Sequence, residues 1–139
     1  MVLTYIIIGI GSVYTSILPN LIIDGIKEAL RTSRGKTIYY CNSMTEMGET
    51  DGFSVQSHVN AIHRQLGYQF IDGVVYATDT VPEEVMARYH KENADQVHLD
   101  DSEVSYRLYP CSLLDFSSGM VRHDGARVRD SFIKILEEK

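Results

Sequence analysis

The sequence predicts an α/β domain, Rossmann-like, with an open and mainly parallel sheet flanked by helices. Three observations carry that prediction. Short apolar runs at Tyr5–Ile8, Lys36–Cys41 and Phe70–Ala77 alternate with segments of helical periodicity. The first run is continuous rather than alternating, as a strand covered on both faces requires. The 139 residues, 44% hydrophobic and 23% charged, suit one domain with a sizeable core.

Taken in order, Tyr5–Ile8 is the first strand, followed by the turn Gly9-Ile10-Gly11-Ser12. Thr15–Leu18 forms a short helical turn that Pro19 resets. Asn20 then caps a helix reaching about Ser33, with Ile22, Ile26, Ala29 and Leu30 on its inner face. Arg31 and Arg34 complement its dipole, and Gly35 stops it. Lys36–Cys41 is the second strand. After the loop NSMTEMGETDGF, Ser54 caps a helix whose stripe is Val55, Val59, Ile62 and Leu66, and Gly67 ends it. Phe70–Ala77 contains the third strand, and Pro82 opens a third helix with Glu83 and Glu84 at its positive end. Gln96–Leu99 and Tyr106–Tyr109 read as short strands. Gly125–Glu138 is a terminal helix with Val128, Phe132, Ile135 and Leu136 facing inward. Residues 1–139 form a single domain without internal repeat or linker.

The formal charge of −6 and pI near 5.3 exclude a general nucleic-acid surface, which needs clustered excess Lys and Arg. A local positive pocket for one phosphorylated ligand stays open. Residues 3–10 are apolar but too few to cross a bilayer, and no basic leader precedes them. A cytoplasmic protein without membrane insertion is expected, with Cys41 and Cys111 as reduced thiols.

In an open parallel sheet, ligands bind beyond the carboxyl ends of the strands. Two loops there draw the eye. In the first, Gly9 and Gly11 would let backbone amides approach an anion, while Ser12, Thr15 and Ser16 add hydroxyl donors at the start of a short helix. The same residues would also make a plain strand-to-helix turn. In the second, Asn42 would read a base or sugar hydroxyl, Thr45 and Thr50 would donate to phosphate oxygens, and Glu49 and Asp51 would hold a metal or act as a base. An exposed acidic turn organising the next helix is the alternative.

The histidines form no metal site. His58 and His63 lie about 140° apart around a helix. His58 faces the second loop, His63 the helix flank, and His90 and His98 the surface. His123, in VRHD, bonds Asp124 or a neighbouring carbonyl. Cys41 is a small buried residue, without a paired base to make it a nucleophile. The sequence holds no triad, zinc motif or Walker sequence.

Together GSVYTSILPNLI, CNSMTEMGETDGFSVQSHVNAIHRQLG and VRHD, with VPEEVMARY between them in the same order, resemble the YvcK family of gluconeogenesis factors. That family is related in fold to CofD, the 2-phospho-lactate transferase of coenzyme F420 synthesis. The resemblance implies a Rossmann-like domain that binds a UDP-sugar and acts in gluconeogenic growth, cell shape and cell-wall synthesis. For the CofD side it implies phospholactyl transfer with Mg2+ instead. Carried over residue by residue, it places ligand contacts at Gly9, Gly11, Ser12, Tyr14, Thr15 and Ser16, then at Asn42, Thr45, Gly48, Glu49 and Thr50. It assigns no catalytic residue and no metal ligand. Ile10 and Met47 stand where the family often has proline. Family members run to roughly twice this length, so the chain corresponds to a C-terminal half, truncated at its N-terminus. Such a half is expected to pair as a homodimer and to bind UDP-sugars more weakly than a full-length relative, with an inactive fragment as the alternative.

Overall fold

A computed structural model describes residues 5–138; the remaining ends of the expected 1–139 span, including residues 3 and 4 of the first apolar run, lie outside the described residues. Its centre is a four-stranded sheet of β1 (Tyr5–Ile8), β2 (Lys36–Tyr40), β3 (Gly73–Ala77) and β4 (Arg107–Cys111), in that spatial order. All three pairings are parallel, with Ile7 opposite Ile38, Tyr39 opposite Val74 and Val75 opposite Tyr109. A small antiparallel hairpin, β5 (Leu114–Asp115) and β6 (Arg122–His123), follows.

Side-chain alternation divides the core between the two faces of the sheet. Tyr39, Cys41 and Val74 face the helix α3 (Val55–Leu66), whose stripe Val55, Val59, Ile62 and Leu66 is buried as expected. Ile38, Tyr40 and Val75 face the other way, toward α4 (Glu83–Lys91) and α5 (Gly125–Glu137), meeting Val85 and Ile135. Ser54 caps α3 by accepting from Ser57 N, and Gly67 ends it with φ of 86°, a conformation that favours glycine. Pro82 sits just before α4, one position earlier than a first-turn proline.

Several elements differ from the sequence expectation. No single helix runs from Asn20 to Ser33. A π-helical turn, Val13–Ile17, leads into α1 (Leu18–Leu21), which carries Pro19 and ends before α2 (Asp24–Thr32). The Asn20 amide donates back to Ser16 O at 2.8 Å, so it ties α1 to the preceding turn rather than opening α2. Ile23 is extended and breaks the helix there. The expected inner face is therefore largely outside: Leu30 is buried, but Ile22 is 53% and Ile26 40% exposed.

Gln96–Leu99 joins no sheet. It makes one bridge to Met44 and is held against the second loop by Val97 N to Ser43 O, 2.8 Å. From there the chain follows α3, with Val55 N donating to His98 O and the Gln56 side chain spanning Asp100, before entering β4. In α5, Phe132 meets Tyr5 edge-on at 6.0 Å, whereas Leu136 points outward.

Candidate functional site

β1 and β2 end side by side, which brings the two loops together. In the first, Ser12 O accepts from Ser16 N and Ile17 N at 3.0 and 2.9 Å, closing the helical turn. The Ser12 hydroxyl accepts from Thr15 N and donates to Glu49 Oε1, both at 3.3 Å, and so ties one loop to the other. Tyr14, Thr15 and Ser16 are exposed. The two glycines differ: a Cβ on Gly9 meets nothing within 4 Å, whereas one on Gly11 would sit 3.2 Å from Ser16 Cβ. Gly9 leaves open space beside it, and Gly11 keeps the helical turn close.

The second loop builds its own frame. Thr50 Oγ1 accepts from Glu46 N at 2.8 Å, and the Asp51 carboxylate accepts from Gly48 N at 2.9 Å, with Gly48 at a φ of 81°. Thr45 Oγ1 accepts from Asp95 N at 2.9 Å, while Thr45 N donates to Asp95 O. Both threonines are buried, so their hydroxyls support the loop from inside. Asp51 likewise shapes the turn. The Glu46 carboxyl is pushed up by burial and by Glu49 beside it, against a smaller opposing effect of Ser12.

A cleft of about 730 Å³ opens beyond the strand ends. Asn42–Met47 form one wall, the end of α4 and the residues after it (Tyr89 and Lys91–Ala94) the other, and Val121 and His123 close it, with Ile10 at the rim. Of the residues expected from sequence, Asn42 and Thr45 line this cleft; Gly9, Gly11, Ser12, Tyr14, Thr15, Ser16, Gly48, Glu49 and Thr50 cluster on the adjoining loops. The Asn42 Oδ1 is buried without a hydrogen-bond partner.

His123 does not bond Asp124 or a carbonyl. Its Nε2 lies 3.0 Å from the hydroxyl of buried Ser43, in the cleft wall. Burial pushes its pKa down, opposed by the charge of Asp79. Asp79, just past β3, accepts from Leu113 N and from the Ser112 hydroxyl, both at 2.8 Å, and pairs with Arg127 at 3.4 Å. These bonds hold its carboxyl low despite burial, and they anchor the hairpin that carries His123. The sequence reading passed over Asp79; an acid directly beyond a strand end, in ATDTVP, was the available signal.

His58 is fully buried, donates from Nδ1 to Ser54 O at 2.7 Å and lies edge-on to Phe53, so it faces the core and not the cleft. His63 leaves the helix flank to accept from Phe70 N and Ile71 N, each at 3.2 Å. His90 and His98 are exposed, and Cys41 is buried with its thiol pushed up to about 12.

Parallel strands, a helical turn at the first strand end and a cleft beyond the second define an α/β domain of the Rossmann-like class. The family described as 2-phospho-L-lactate transferase CofD matches residues 3–129, and the chain belongs to that family. It is 34% identical over 136 residues to the gluconeogenesis factor of Bacillus subtilis, covering 96% of this chain and 43% of the relative. The gluconeogenesis factor of Listeria innocua is 37% identical over 137 residues, at 96% and 42% coverage. A crystal structure of a Bacillus halodurans protein superposes with a TM-score of 0.87 at 32% identity, across 93% of this chain and 42% of that one. The chain thus spans under half the length of these relatives and corresponds to their C-terminal part.

Proposed function

We propose that the cleft is part of a nucleotide-sugar site, and that the protein is a UDP-sugar-binding regulator of the gluconeogenesis-factor type, serving gluconeogenic growth, cell shape and wall synthesis. One observation carries most weight: Asn42 lines the cleft and buries an unpartnered Oδ1. An acceptor left dry costs about 1–3 kcal/mol, which a ligand hydroxyl or base amine would recover. Lys91, across the cleft, supplies a cation for a diphosphate; Tyr89 supplies an aromatic face for a base.

The Gly9–Ser12 turn, with an open approach at Gly9, continues the site past Ile10. Its ligand role is electrostatic and positional, and no bond-making step is needed. Among the described residues no group of three or more His, Cys, Asp or Glu is placed to hold a metal ion, and no step is derived through one.

Titration calorimetry of the chain with UDP-glucose and UDP-N-acetylglucosamine tests the reading. Asn42→Ala is expected to weaken binding roughly tenfold, the worth of one hydrogen bond. Equal affinity in wild type and Asn42→Ala would remove the cleft from the site.

A further inference from the structure

Two cleft residues from distant parts of the chain meet through their side chains. The Ser43 hydroxyl and His123 Nε2 lie 3.0 Å apart, and both residues line the cleft. The backbone around each is fixed. Ser43 O accepts from Val97 N at 2.8 Å, His123 stands opposite Leu114 in the hairpin, and Asp124 N donates to Leu113 O at 2.7 Å. Next in sequence, Asn42 buries an Oδ1 without a partner, so the same stretch of wall calls for a polar group from outside.

The imidazole has acids near it, but each is engaged elsewhere. Asp79, whose charge acts on the ring, directs its carboxylate to Leu113 N, the Ser112 hydroxyl and Arg127 of α5. Asp124 caps α5 by accepting from Ala126 N and Arg127 N, and Asp115 accepts from Ser117 N. Glu46, on the loop wall, is itself pushed toward its neutral form by burial and by Glu49. On the wall opposite, the Tyr89 hydroxyl accepts from Val121 N, and Lys91 stands beside Glu92; in the hairpin, Arg122 reaches Met120 Sδ at 3.9 Å. Burial therefore keeps His123 neutral in the free chain. Donation from the Ser43 hydroxyl to Nε2 of that neutral ring keeps the hydroxyl proton paired, and leaves it nothing to offer a ligand.

We propose that Ser43 and His123 form a proton-linked switch for the ligand's diphosphate, an inference that rests on the nucleotide-sugar reading of the cleft. An anion in the cleft supplies the opposite charge that the ring lacks, and a proton from bulk water settles on His123 as the ligand binds. The imidazolium then donates from Nε2 to Ser43 Oγ. That frees the Ser43 O–H to turn and donate to a phosphate oxygen. No covalent bond forms, and the proton returns to water when the ligand leaves. The sign follows from linkage: the ring holds its proton more tightly in the complex than in the free chain. Affinity therefore rises as pH falls between the two pKa values and levels off outside them.

Calorimetric titration of the whole chain with UDP-glucose, in buffers of different ionisation enthalpy between about pH 5.5 and pH 8, reads the proton uptake directly. UDP-glucose suits the test because its diphosphate ester keeps its charge over that range. Affinity is expected to rise roughly tenfold from the alkaline to the acid end, equal to about one pH unit in the pKa of the ring. His123→Gln keeps a partner for Ser43 without a titrating proton, and should abolish both the uptake and the slope. Ser43→Ala keeps the ring but loses the donor, so its affinity should fall most at low pH. A loss of equal size at every pH in both variants would mean a structural role and overturn the proposal. So would a slope that survives in His123→Gln and disappears in Glu46→Gln, since protonation of that carboxyl favours an anion too. UDP-glucose binding without proton uptake refutes the switch alone, whereas no binding at any pH removes the nucleotide-sugar reading together with it.

Discussion

His63 Nε2 serves two backbone amides at once, from Phe70 and Ile71, and can do so only while unprotonated. His58 and His123 are likewise held neutral by burial, and all three sit below the ordinary value of 6.5. A depressed folded pKa means that the unfolded chain binds protons first as pH falls. The stability these rings contribute is therefore complete above about pH 6.5 and drains away below it, down through their folded values. Urea midpoints at about pH 7.5 and pH 5.5 should show the loss. His63→Gln keeps an acceptor without a titrating proton, so its loss should be smaller than that of the wild type. His63→Ala strips both amides of their partner and should cost about 1–3 kcal/mol at either pH. An unchanged pH dependence in His63→Gln would show that this ring does not take part.

At the scale of elements, α3 is where local signals and packing agree. Ser54 caps it, its four-residue stripe is buried, and Gly67 closes it, all as the spacing predicts. The same hydroxyl also bonds Asp100 at 2.5 Å, joining α3 to the segment that leads into β4. Ser54→Ala should thus cost about 1–2 kcal/mol, and Ser54→Thr markedly less, as read from the urea midpoint. Equal losses for both would mean the hydroxyl is idle.

The strands were legible because continuous apolar runs bounded by loops have few other readings. The stretch from Pro19 to Ser33 was not, because Asn20 satisfies a carbonyl behind it instead of an amide ahead. Gln96–Leu99 misled for a related reason: its backbone bonds go to Ser43 and Val55, through contacts that no local pattern encodes. Of the site, the wall at Asn42–Met47 was visible from residue types. The opposite wall, Tyr89 and Lys91–Ala94 with His123, depends on where α4 and the hairpin are anchored, and Asp79 does much of that anchoring.

For the whole molecule, one sheet carries a cleft beyond its strand ends and an apolar edge at β1. Among the described residues no helix is long and apolar enough to cross a membrane, so the exposed isoleucines do not belong to a helical span. The cleft is shallow in charge: Lys91 stands against Glu46 and Glu92, and the chain carries a formal −6. In the proposed site, ligand selection would rest on Asn42, Ser43 and the backbone of the two loops more than on net potential. The most direct test is a nitrogen-15 chemical-shift titration of the chain with UDP-N-acetylglucosamine, residue by residue. Saturable shifts concentrated at Gly9–Ser12, Asn42–Met47, Tyr89 and His123 are predicted. Shifts that never saturate, or that gather away from the cleft at Arg107–Ser112 and Lys134, would contradict a nucleotide-sugar site at the ends of β1 and β2.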